Sequence, residues 1–106
     1  MTIQVQPTPN PNARKFILAD VRFDGSTNFA SAADAAELPW VGALFDLEGV
    51  YNVFTAQNFV TVNKRATVAW EPLETQVRAV LTQTFSPANP DRPAVDSAQN
   101  ATSQAN

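Results

Sequence analysis

Three prolines in alternate positions, Pro7, Pro9 and Pro11, interleaved with Asn10 and Asn12, restrict this chain more than any other feature of it. Each proline fixes its own φ near about −65° and pushes the residue before it out of the α region, so Thr8 and Asn10 are expected to be extended. Asn12 is expected to turn the chain through its side-chain amide. No helix can run through such a segment. On its carboxyl side, Lys15, Phe16, Ile17 and Leu18 read as a strand. On its amino side, Ile3, Val5 and Pro7 alternating with Gln4 and Gln6 have the period of a strand with one wet face. The loop is therefore expected to join two antiparallel strands.

Beyond Leu18, residues 19–28 carry turn chemistry in Asp20, Asp24, Gly25, Ser26 and Asn28. Val21, Arg22 and Phe23 could prolong the second strand, and a short strand is expected near 27–29. Ser31 is placed to cap a helix over 32–37, whose alanines favour that state. Pro39 interrupts it and suits the first turn of a second helix over 39–47, ending at Gly49. Residues 50–54 and 59–63 are β-branched and aromatic flanks around a polar turn at 55–58, a hairpin pattern. From about Ala69, the apolar residues Trp70, Leu73, Val77, Val80, Leu81 and Phe85 recur at steps of three and four, one stripe of an amphipathic helix. Pro72 fits its first turn, and Glu74 and Arg78 are spaced as an i,i+4 ion pair. The order β-β-α-β-β-α predicts an α+β two-layer sandwich with helices on one face of a mainly antiparallel sheet. Residues 1–85 are expected to form the domain. Residues 86–106 carry Pro87, Pro90 and Pro93, no aromatic and little branched aliphatic, and are expected to be a disordered tail.

Composition narrows the chemistry. The 106 residues include no cysteine and no histidine. Disulfides, thiolate or imidazole metal ligands, thiol nucleophiles and Ser-His triads are all closed to it. A formal charge of −3, with seven Lys and Arg scattered along the chain, lacks the clustered basic footprint of a nucleic-acid binder. No apolar run approaches the roughly 20 residues of a membrane span, and the amino terminus lacks a secretory pattern, so a cytoplasmic protein is expected, as a monomer. Acidic pairs such as Asp20 with Asp24, or Asp46 with Glu48, lack the convergent oxygens of a hard-cation site and read as solvated surface. An enzyme is not expected.

Two readings of the proline–asparagine loop stand side by side. It turns a hairpin and blunts a sheet edge, or it is a preordered docking surface presenting Asn10 and Asn12 with Arg14 and Lys15 close behind. Arg14, Lys15, Lys64 and Arg65 fall at strand ends. They can form a basic rim for acidic partner segments, or they are ordinary solvated edge protection. Most of the aromatics read as core, whereas Trp40 and Tyr51 are expected to be partly exposed, Trp40 adding a large ring to the binding surface.

The stretch Thr8, Pro9, Asn10, Pro11, Asn12, Ala13, Arg14, Lys15, Phe16, Ile17 resembles, without a gap, the segment that leads the Nfu/NifU N-terminal domain family. The likeness continues through Phe29, Ala36, Ala43-Leu44-Phe45, Gly49-Val50, Val53-Phe54, the strand from Asn58 to Val62, and Trp70. In that family the domain is usually fused to a NifU-like domain whose Cys-x-x-Cys motif carries an iron–sulfur cluster. The resemblance implies a protein-interaction role in cluster assembly, with a Cys-x-x-Cys carrier or an apo-client as partner, and no cofactor on these residues. It transfers no catalytic residue. Where the family often has Ser-Pro-Leu-Ala, this sequence has Leu38, Pro39, Trp40 and Val41. A general peptide-binding module acting by strand addition at a sheet edge is the alternative.

Overall fold

The proline loop does close a hairpin. In a computed structural model, which describes residues 3–19, 21–23, 25–36, 38–86 and 89, β1 (Ile3–Pro7) and β2 (Ala13–Leu18) pair antiparallel with Val5 opposite Phe16. Three further strands, β3 (Ser26–Phe29), β4 (Val50–Ala56) and β5 (Phe59–Lys64), complete a five-stranded antiparallel sheet in the order β1-β2-β5-β4-β3. The hairpin β4–β5 is inserted beside β2, so β2 and β5 are interior strands and β1 and β3 are the edges.

Strand alternation sorts the sheet into two faces. Val5, Phe16, Val60 and Thr55 lie in one cross-strand row, and Arg14, Val62 and Val53 in the next. The apolar members of these rows join a core with α1 (Pro39–Phe45) and α2 (Trp70–Phe85), which bury Trp40, Val41 and Leu44 and Trp70, Leu73, Val77, Leu81 and Phe85. The stripe read from the sequence is the buried face of α2. The opposite face of the sheet carries Ile17 opposite Phe59 and Lys15 opposite Thr61.

Several local expectations change, each for an identifiable reason. Val21 to Phe23 do not prolong β2. Asn58 and Gln57 carbonyls accept from the Leu18 and Phe23 N–H groups at 2.7 and 2.6 Å, so the chain leaves the ladder while Val21 stays buried. The expected helix over 32–37 is a single 3-10 turn, Ala32–Ala35. Ser31 makes no side-chain cap, and Asp34 Oδ2 instead accepts from the Ala30 N–H at 3.1 Å. Pro39 explains the brevity, because it holds Leu38 outside the α region. Helix α1 stops at Phe45, two residues early, and its C-cap Asp46 N–H bonds the Gly42 carbonyl at 3.0 Å. The β4–β5 turn contracts to Gln57 and Asn58, because Thr55 and Ala56 continue the ladder opposite Val60 and Phe59.

The tight turn leaves Gln57 at φ 49°, a left-handed conformation that costs a residue with a Cβ. Gln57→Gly is expected to raise stability by about 0.5–1 kcal/mol in a urea unfolding series. A fall in the midpoint would show that the Gln57 side chain supports the turn. The tail expected over 86–106 lies, but for Ser86 and Asn89, outside the described residues.

Candidate functional site

Loop 8–12 is built from its own side chains. Thr8 Oγ1 accepts from the Asn10 N–H at 3.1 Å, and its hydroxyl points at the carbonyls of Asn10 and Ala13, 2.9 and 3.1 Å away. Asn10 Oδ1 accepts from the Asn12 N–H at 2.9 Å, and the Ala13 N–H bonds the Asn10 carbonyl at 3.0 Å. Asn10, rather than Asn12, is thus the residue whose amide turns the chain. Asn12 instead holds Lys64, since its Oδ1 accepts from Lys64 Nζ at 3.2 Å while its carbonyl accepts from the Lys64 N–H at 2.8 Å. Both amide oxygens are thus engaged within the domain.

Trp70, the first residue of α2, holds this loop to the rest of the domain. Its indole Nε1–H donates to the Pro11 carbonyl at 3.0 Å. Arg14 lies over its ring at 5.0 Å and also forms an ion pair with Glu74, one turn further along α2. Lys64 Nζ lies 5.7 Å from the same ring. A buried ammonium is costly without partners. Lys64, only 6% exposed, meets that cost with Asn12 Oδ1, the Arg65 carbonyl at 3.4 Å and the indole face.

The expected basic rim is therefore divided. Lys64 is not a solvated strand end, because β5 is an interior strand and its helix-side residues are covered by α2. Arg14 shares that side, whereas Lys15, its neighbour in sequence, points to the opposite face and sits 4.2 Å over the Phe59 ring. Arg65 is exposed just past β5, its N–H tied to the Gly49 carbonyl at 2.7 Å. Asn10, Asn12, Arg14, Lys64 and Arg65 thus gather at one end of the sandwich. Trp40 is elsewhere. It is 7% exposed rather than half open, stacked on Phe23 and edge-on to Phe85, about 22 Å along α2 from Trp70. Tyr51, at 44% exposed, meets its expectation. Glu74 takes Arg14 in place of Arg78, which is exposed.

Trp70 and Glu74 are the site residues that sequence reasoning did not assign. A signal for Trp70 existed: a buried indole needs an acceptor for its N–H, and a proline-rich loop supplies carbonyls that no ladder uses. Because Asn12 gives Lys64 its side-chain acceptor, Asn12→Ala is expected to cost about 1.5–3 kcal/mol in urea unfolding. Glu74→Gln, at an ion pair whose side chains are 35% and 26% exposed, is expected to cost under about 1 kcal/mol. A reversed order would refute the ranking of the two contacts.

At its surface the arrangement presents the exposed loop residues Pro9, Asn10 and Pro11 with Arg65 and the half-buried Arg14 beside them, over a buried Trp70 and Lys64. Among the described residues no three of His, Cys, Asp and Glu converge to hold a metal ion. No helix of the described residues is long and apolar enough to cross a membrane.

Comparison with known proteins places this architecture. The family model described as "Scaffold protein Nfu/NifU N terminal" matches residues 3–88. NifU-like protein 5, mitochondrial, of Arabidopsis thaliana is 35% identical over 91 residues, and the NFU1 iron-sulfur cluster scaffold homolog, mitochondrial, of Drosophila erecta 37% over 92. Each match takes in 85% of this chain but only 33% and 32% of the relative, so the chain spans about a third of the length of these proteins. The crystal structure of SAV1430 from Staphylococcus aureus superposes with a TM-score of 0.67 at 28% identity, over 76% of this chain and 99% of that one. The NifU-like protein from Saccharomyces cerevisiae shares the fold, with a TM-score of 0.70 at 23% identity over 83% of this chain and 81% of that one. The chain belongs to the Nfu/NifU N-terminal family. The expectation of a cytoplasmic protein is overturned by these relatives, which are named mitochondrial.

Proposed function

We propose that this member of the Nfu/NifU N-terminal family is a non-enzymatic interaction module of iron–sulfur cluster assembly, recruiting a Cys-x-x-Cys cluster carrier or an apo-client. The observation that carries this is the donor set. A cluster needs thiolate or imidazole ligands, and these 106 residues contain neither, so the group named in the relatives does not fit here. The domain offers a surface instead. Pro9, Asn10 and Pro11 are exposed on a loop fixed by internal hydrogen bonds, with Arg14 and Arg65 beside it. A loop already ordered has little conformational entropy left to lose when a partner docks. Lys64 and Trp70 act beneath that surface as positioning residues.

Titration of the isotope-labelled protein with a Cys-x-x-Cys carrier is expected to shift the amides of Asn10, Asn12 and Arg65. Phe59 and Thr61, on the Lys15 face, are expected to stay still. A spectrum unchanged by both carrier and apo-client would refute the proposal.

A second reading has its own observation. β3 is an edge strand, Ser26-Thr27-Asn28-Phe29, with neither the proline nor the lysine by which edges are usually blunted. It suits strand addition by an extended peptide. Shifts along 26–29 with peptides unrelated to cluster proteins would favour it over the loop surface.

A further inference from the structure

Between β2 and β3 the chain passes the β4–β5 turn and is held against it. The Phe23 N–H donates to the Gln57 carbonyl at 2.6 Å, and the Phe23 ring stacks on Trp40 with the centroids 5.9 Å apart. Beside this contact lies a cavity of about 400 Å³ lined by Arg22, Phe23, Gly25, Ser26, Ala56 and Gln57. Arg22 is the one charged residue among the described residues that line it. Its guanidinium, the Gln57 amide and the Ser26 hydroxyl are all hydrogen-bond donors. Among the described residues none of these three side chains has a hydrogen bond or an ion pair.

Gln57 is an unexpected residue for its place. Its φ of 49° is a conformation to which glycine is suited, and residues held there at a cost in strain cluster at ligand sites. Glycine would close the same turn but would remove an amide from the cavity.

The cavity lies at the Ser26 end of β3, an edge strand whose residues Ser26, Thr27 and Asn28 are exposed. The direction of that strand decides what can reach it. A peptide added antiparallel to β3 runs from beside Phe29 toward Ser26, so its carboxyl terminus arrives at the Arg22 end. A peptide added parallel would bring its ammonium group there, against a like charge. Because β3 has only 4 residues, the ladder it offers is short, and a charge-assisted hydrogen bond at one end is a large share of what would hold a peptide.

We propose that this cavity is a carboxylate-recognition site, in which Arg22, with Gln57 and Ser26, receives the free C-terminal carboxylate of a partner polypeptide whose last residues add antiparallel to β3. The proposal rests on the strand-addition reading of β3 and deepens it, since the segment recognised is a chain terminus rather than an internal stretch. The walls of the site are fixed before binding by the Phe23 contacts, which keeps the ordering cost low.

The probes are the N-acetylated peptide Lys-Thr-Val-Thr-Val with a free carboxyl terminus and the same peptide as its C-terminal amide, each titrated into the isotope-labelled full chain. The acid is expected to bind about tenfold more tightly than the amide, the factor for one charge-assisted hydrogen bond in an open site. It is expected to shift the amides of Gly25, Thr27, Asn28 and Gln57. Arg22→Gln, at an exposed side chain, is expected to leave the rest of the spectrum unchanged and to bring the acid down to the affinity of the amide. Equal binding of acid and amide by the parent chain would overturn carboxylate recognition while leaving strand addition at β3 standing. No shift from either peptide would overturn both. A preference for the acid that survives Arg22→Gln would overturn the role of Arg22. Shifts of Gly25 and Gln57 by acetate, with Thr27 and Asn28 unmoved by the acid peptide, would reduce the cavity to a simple anion site and overturn the proposal.

Discussion

Trp70→Ala is expected to lower the unfolding free energy by about 3–5 kcal/mol, the range for removing a large buried aromatic. Three losses combine at this position. The indole is a member of the core cluster, it donates to the Pro11 carbonyl at 3.0 Å, and it carries Arg14 and Lys64 over its ring. Small domains hold only about 5–15 kcal/mol in total, so this variant stands close to the limit of folding. Trp70→Phe separates the contributions. It keeps an aromatic ring for the two cations and removes the N–H, so the hydrogen bond to the carbonyl of the exposed Pro11 is lost at a cost of about 0.5–1.5 kcal/mol. In that variant amide exchange over residues 8–13 is expected to accelerate while exchange in β4 and β5 is unchanged. Urea midpoints for Trp70→Ala within about 1 kcal/mol of the parent protein would show that the indole is not what fixes the loop.

Gly49→Ala is expected to cost about 2–5 kcal/mol, and for two reasons that can be taken apart. Gly49 has φ +100°, a region that residues with a Cβ rarely enter, and a Cβ built there would meet the Val68 Cγ2 at 2.6 Å and its Cβ at 2.9 Å. The position is fixed from both sides. Its carbonyl accepts from the Arg65 N–H, and the next residue begins β4 after the turn that leaves α1. Val68→Ala removes both methyl groups of that neighbour while leaving its Cβ in place. Combined with Gly49→Ala it is therefore expected to recover part of the loss, the remainder being backbone strain. A double-mutant cycle in urea reads the two terms directly, and strictly additive losses would mean that the clash contributes nothing.

How far the residues announced the structure depends on whether the deciding interaction was local. The β1–β2 hairpin, the β4–β5 hairpin and the buried stripe of α2 follow from periodicity and turn chemistry within about 16 consecutive residues, and all were legible. The 3-10 turn at 32–35 was misjudged because alanine content favours a helix, whereas Pro39 leaves too few residues to complete one. The candidate site was legible as a loop and as a set of cations, but its division was not. Arg14 and Lys15 are adjacent in sequence and lie on opposite faces of an interior strand, so one reaches Trp70 and the other Phe59. Alternation along the strand already separates the two, but which partner covers each face was decided by strand order and helix placement, which are non-local.

By itself the sequence determined the proline-constrained hairpin, the α+β class, the family and the chemistry closed to a chain with neither thiol nor imidazole. Each of these depends on covalent geometry, on period or on side-chain type, which neighbours cannot change. Only the tertiary structure decided that Lys64 is buried, that Trp40 belongs to the core and that Trp70 secures a loop 59 residues before it. The reason is that burial and hydrogen-bond partners are set by which elements the sheet brings together, and insertion of β5 beside β2 put the start of α2 over the amino-terminal loop.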